Sequence, residues 1–135
     1  MHQRTILVVE PDGKLRAEWR AGLEGMGFHV KEAVDAANGL RAAMRTEVTL
    51  LITELYLPSQ SGHCLVRVTR REEALRRLKI LVVTDHSSDE DRAWALASGA
   101  DAYLTKPVRL GRMLQVSARL ATARAPSRGE LRAGW

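Results

Sequence analysis

The chain has 135 residues, 45% of them hydrophobic and 27% charged, which suits one compact domain with a sizeable core and is too short for two. A net charge of +5 and a pI near 10 admit acidic partners, but the arginines are scattered among acids, so no basic stripe forms and nucleic acid is not an expected partner. A single cysteine, Cys64, excludes an intramolecular disulfide and a cysteine-rich metal cluster. The longest apolar run near the start, Ile6 to Val9, is too short for a signal segment or a membrane span, so a cytoplasmic setting without a membrane partner is expected.

Taken in order, Thr5 to Val9 is a β-branched apolar run of the kind buried on both faces of a sheet, and it stops at Glu10-Pro11-Asp12-Gly13. From Lys14 the period turns helical, with Leu15, Trp19, Leu23 and Met26 on one face, Asp12 as N-cap and Gly27 as stop. Phe28 to Glu32 reads as a second strand and Asp35 to Arg45 as a helix carrying Leu40 and Met44. Thr49 to Thr53 is a central strand that delivers Glu54 to its carboxyl end, with Pro58 and Gly62 breaking the chain beyond it. A third helix is expected from Gly62 to about Arg71, then a charged stretch, then a buried strand, Lys79 to Thr84, that ends at Asp85-His86. Ser88-Asp89-Glu90-Asp91 opens a fourth helix with acids where they suit its dipole, and Gly99 closes it. Ala102 to Thr105 is a fifth strand, followed by Lys106-Pro107 and a last helix from about Val108 to Ala123. Residues 1–123 thus form one domain, and 124–135, with Ala125-Pro126-Ser127-Arg128-Gly129, read as a tail or linker.

Strands alternating with helices imply a parallel sheet with right-handed crossovers and helices on both faces. The carboxyl ends of its strands share one rim, where open α/β sheets bind ligands. Glu10, Asp12, Glu54, Thr84, Asp85 and Lys106, far apart in sequence, are expected to meet there.

This order and spacing resembles the receiver domain of two-component response regulators. The resemblance rests on Ile6-Leu7-Val8-Val9-Glu10, Leu57-Pro58 with Gly62, Val82-Val83-Thr84, Gly99-Ala100-Asp101 and Tyr103-Leu104-Thr105-Lys106-Pro107, and spans about Thr5 to Leu120. It implies a flavodoxin-like (βα)5 three-layer sandwich with strand order 2-1-3-4-5. Receivers are signalling modules rather than enzymes. In them two adjacent acids after the first strand help hold Mg²⁺, an aspartate after the third accepts a phosphoryl group, and a Thr or Ser and a Lys contact its oxygens.

Mapped residue by residue, the acid pair falls on Glu10 and Pro11, the phosphoacceptor on Glu54, the hydroxyl on Thr84 and the lysine on Lys106. The aromatic that swings between outward and inward rotamers in the family falls on Tyr103. Three positions depart from the pattern. Pro11 has no ligating side chain. Glu54 is one methylene longer than aspartate, about 1.5 Å, which favours a standing contact to Lys106. Asp85 replaces the small residue that usually leaves the entrance open. The expected protein is therefore a pseudo-receiver that acts by protein contact, without a bound cofactor. The alternative is a phosphorylatable receiver in which Asp12 or Asp85 replaces the missing Mg²⁺ ligand, and a weaker third reading is the receiver part of a DNA-binding regulator.

By the same resemblance the contact surface is the fourth helix, fifth strand and fifth helix, with Arg92, Tyr103 and Trp94 as candidates. The partner would be an output protein, a kinase or a second copy of the chain. Trp19 is expected in the core, and Trp94 off a buried Ala93 and Leu96 face. Arg67, Arg70, Arg71, Arg76 and Arg77 read as a solvated face beside Glu72 and Glu73. His2, His29, His63 and His86 lack metal-ligand spacing.

Overall fold

The computed structural model describes residues 3–58 and 64–123. Five strands, β1 (Thr5–Val9), β2 (His29–Ala33), β3 (Leu50–Thr53), β4 (Lys79–Thr84) and β5 (Ala102–Thr105), pair in parallel in the order β2-β1-β3-β4-β5. Between and after them run α1 (Gly13–Gly25), α2 (Ala36–Arg45), α3 (Leu65–Arg71), α4 (Asp89–Ser98) and α5 (Leu110–Thr122), with a short 3-10 turn at Glu73–Leu75. The alternating pattern implies a parallel sheet, and the strand order is that of the flavodoxin-like sandwich implied by the resemblance.

Because successive strand residues point to opposite faces, a run that is apolar throughout must be covered on both. Ile6, Val8, Leu50, Ile52, Leu81 and Val83 face a layer made by Trp19 and Leu23 of α1 and Met113 and Val116 of α5. Leu7, Val9, Leu51, Ile80 and Val82 face the other layer, with Leu65 and Val66 of α3, Ala43 of α2 and Ala95 of α4. Each fully buried aliphatic side chain contributes roughly 1.5–3 kcal/mol relative to exposure, so the two layers fix the sheet between them.

Several sequence expectations are met. Asp12 caps α1, its Oδ1 accepting from the amides of Lys14 and Leu15. Ser88 caps α4 and Gly99 ends it with φ +125°, a conformation suited to glycine. Trp19 is buried.

Others are corrected. The second strand is shifted by one residue, to His29–Ala33, and α5 begins at Leu110 rather than Val108. The third helix begins at Leu65; Gly62 lies outside the described residues, as do His2, His63 and the tail. Met26 is exposed, because α1 has already ended at Gly25 when the chain reaches it. On α4, Ala93 and Leu96 are exposed and Ala95 is buried instead, so the face in contact with the sheet is rotated from the expected one and is only one small side chain wide.

Candidate functional site

The sheet ladder continues one residue past three strands and so sets the site. The amide of Glu10 donates to the carbonyl of Ala33 (3.1 Å), that of Glu54 to Val9 (3.1 Å) and that of Lys106 to Thr84 (2.7 Å). Neighbouring strands lie about 4.8 Å apart, so Lys106 starts two strands from Glu54 and three from Glu10, and only a long side chain can cross that distance.

It does cross. Lys106 Nζ donates to Glu10 Oε1 at 2.7 Å and to Glu54 Oε1 at 2.9 Å. The second oxygen of each carboxylate is also engaged: Glu10 Oε2 accepts from the Asp12 amide (3.0 Å), and Glu54 Oε2 from the Leu55 amide (2.6 Å). The side chains are 3% exposed for Glu10, 10% for Glu54 and 20% for Lys106, so water screens this cluster weakly. Burial alone pulls the Lys106 ammonium down, but hydrogen bonds and charge from Glu10 and Glu54 outweigh it and hold its pKa above 10.5.

Two carboxylates and one ammonium leave a formal charge of −1. The ammonium occupies the space between the carboxylates that a bridging cation would otherwise take. Pro11 offers no ligand, Asp12 is exposed with Oδ1 turned to α1, and among the described residues no three His, Cys, Asp or Glu side chains converge to hold a metal ion. This donor set does not fit Mg²⁺ as it stands.

Of the other candidates, Thr84 is buried at the site, its Oγ1 accepting from the His86 amide at 3.3 Å. The Asp85 side chain is 75% exposed and points toward the His86 imidazole, 3.8 Å away, rather than toward Lys106. Tyr103 is buried, and its hydroxyl donates to the carbonyl of His86. Burial foremost, then the charges of Asp91 and Glu54, push its phenol up in pKa. Arg92 is exposed, with its guanidinium 5.8 Å from the centre of the Tyr103 ring, and Trp94 is exposed on α4.

The sequence reading missed two residues. Tyr56 donates from its hydroxyl to Asp91 Oδ1 at 2.7 Å and sets its ring edge-on to His86, centroids 4.7 Å apart. The bond to Asp91, ahead of burial, pushes the Tyr56 phenol up to about 12. Arg70, expected on a solvated face, is half-buried and bonded to two separate segments, the α4–β5 loop and the residue before β4. Neither has a motif around it; only their places, beside the central strand end and among arginines on a half-buried helix, set them apart.

Residues 6–118 match the family model of the response regulator receiver domain. The chain is 35% identical over 119 residues, 88% of its length, to the KDP operon transcriptional regulatory protein KdpE of Escherichia coli, covering 51% of that protein. It thus spans about half the length of the curated relatives it matches. Among solved structures it is similar to a CheY-like receiver from Methanospirillum hungatei, with a TM-score of 0.79, 28% identity, and 88% and 94% of the two chains covered. The receiver of sensor histidine kinase PA1611 from Pseudomonas aeruginosa, solved with magnesium in its active-site cleft, gives a TM-score of 0.79 at 25% identity, covering 90% and 100%. The chain belongs to the response regulator receiver domains of two-component signalling.

Proposed function

We propose that this receiver transmits its signal by protein contact and does not run an aspartyl-phosphate cycle. The observation that carries this reading is the Lys106 ammonium held between Glu10 and Glu54. Phosphoryl transfer to a carboxylate needs an oxygen free for in-line attack and cations free to offset the charge of the donor. Both oxygens of Glu54 accept hydrogen bonds, and the cation is neutralised by two carboxylates. A donor phosphate would meet net negative charge, to which the exposed Asp85 adds.

The metal-dependent alternative asks Asp12 or Asp85 to stand in for the acid missing at Pro11. Asp12 would have to give up its cap on α1, and Asp85 would have to leave the surface beside His86. The inward Tyr103, bonded to the β4–α4 loop, supports a domain resting in one state, with Glu54 in the role of a permanent negative charge beside Lys106. The partner is a protein, either an output protein, a kinase or a second copy, met on the face of α4, β5 and α5. Trp94 and Arg92 offer the apolar and cationic contacts there. The curated relatives include transcriptional regulators, and delivery of this domain to such an output is within the same reading.

The test is to incubate the protein with acetyl phosphate and Mg²⁺ and follow the intact mass. An unchanged mass is expected. A phosphoryl adduct on Glu54 would overturn the reading and return the phosphorylatable receiver.

A further inference from the structure

Among the helices, α4 has the least apolar anchorage. Ala95 is its only buried residue, whereas α1 inserts Trp19 and Leu23 and α5 inserts Met113 and Val116. A single methyl group removes far less apolar area from water than these side chains do, so packing alone holds α4 weakly. Its fixed position has to come from its ends.

At the carboxyl end, Arg70 of α3 reaches two segments, the α4–β5 loop and the residue before β4. Its Nε donates to the carbonyl of Gly99 (2.9 Å), Nη1 to that of Leu78 (2.6 Å), and Nη2 to Asp101 Oδ2 (2.9 Å). That same Asp101 oxygen accepts from the amide of Ile80 at 2.8 Å, tying the α4–β5 loop to the start of β4. The fit is close: a Cβ at Gly99 would overlap Arg70 Cγ. At the amino end, Tyr56 Oη and Ser88 Oγ donate to the two oxygens of Asp91, at 2.7 and 2.9 Å. The Tyr56 ring meets His86, whose carbonyl takes the Tyr103 hydroxyl.

We propose that Arg70 and Tyr56 form a two-ended clamp that fixes α4 irrespective of the charge state of the Lys106 cluster. This deepens the single-state reading above and rests on it. Arg70 is a positioning residue: its planar fork satisfies carbonyls that a lysine cannot serve together. Trp94 and Leu96, 38% and 40% exposed, stand on the outside of the clamped helix.

Amide hydrogen exchange of the full chain, read residue by residue by NMR with α5 amides as internal reference, tests this. Arg70→Ala is expected to speed exchange at Ile80, Gly99, Ala100 and Asp101 by about tenfold relative to α5, and Tyr56→Phe to do the same at Arg92, while Glu54→Gln does neither. If Arg70→Ala does not fold, Arg70→Lys gives the same comparison. Unchanged α4 exchange in the Arg70 and Tyr56 variants would overturn the clamp. So would loosening of α4 by Glu54→Gln, which would leave the phosphorylation-independent reading in place, with α4 answering to Glu54. A phosphoryl adduct with α4 still fixed would do the reverse.

Discussion

The two apolar layers and the polar rim of this molecule are built on opposite terms. In the layers, some thirty buried hydrophobic side chains among the described residues share the work, and each touches several others. At the rim, single groups carry the tasks: one ammonium serves two carboxylates and one phenol holds the first turn of α4, while at the opposite edge of the sheet one guanidinium joins the α4–β5 loop to the residue before β4. Redundancy protects the first. In the second, a change of one methylene or one ring alters what the site can do.

Breaking the rim at its centre has the largest expected effect. Lys106→Met leaves Glu10 and Glu54 facing each other with no cation, and removal of one partner from a buried ion cluster costs roughly 3–5 kcal/mol. Urea denaturation at pH 7 measures it, and adding Glu54→Gln to the same protein is expected to recover part of the loss. An unaltered midpoint for Lys106→Met would mean that the ammonium is not held as described.

In the layers the comparable change is Leu51→Ala, expected to cost about 2–5 kcal/mol, with the Lys106 contacts intact. The two losses are expected to differ in kind. The Leu51 cost depends little on pH, whereas the rim responds to alkali. Lys106, with its pKa raised in the folded state, contributes fully below the ordinary lysine value and loses that contribution as pH rises through the folded value, above 10.5. Tyr56 and Tyr103 are raised too, so their stabilising share is likewise complete below pH 10 and disappears above it. A near-UV titration is expected to show little phenolate at pH 10 while the fold persists, with Tyr56 ionising at about 12. Full ionisation of both tyrosines at pH 10 in the folded protein would contradict the two contacts.

Gly99→Ala sharpens the comparison at the rim of α4. It combines a positive φ of 125° with a Cβ that overlaps the Arg70 side chain, so it is expected to lower the melting temperature and displace Arg70 together. Tyr56→Phe is expected to have the smallest effect on stability, visible as shifts of Asp91 and His86 amides rather than as a change in midpoint.

The same contrast explains what the sequence made legible. Strands β1, β3 and β4 are short runs of consecutive apolar residues, and nothing but burial on both faces accommodates Ile6 to Val9 or Ile80 to Val83. The convergence of Glu10, Glu54, Thr84 and Lys106 then follows from parallel topology alone, and the reach of Glu54 to Lys106 from its extra methylene. Arg70 was not legible because its partners are backbone carbonyls and a carboxylate up to thirty-one residues away, and carbonyls carry no sequence signature. Leu96 and Ala93 misled because helical periodicity shows that a stripe exists but not how much of it the sheet covers. On α4 the covered width is one alanine.

On the proposed reading, the Lys106 cluster is closed to metal and phosphoryl group alike. A backbone-amide NMR titration with Mg²⁺, followed by beryllofluoride as a mimic of the bound phosphoryl group, tests this most directly. The amides of Glu10, Glu54, Thr84 and Lys106 are expected to stay in place at millimolar Mg²⁺ and to ignore beryllofluoride. Saturable shifts at those four residues, spreading to Tyr103, would contradict it and show a pocket that still takes the metal and the phosphoryl group.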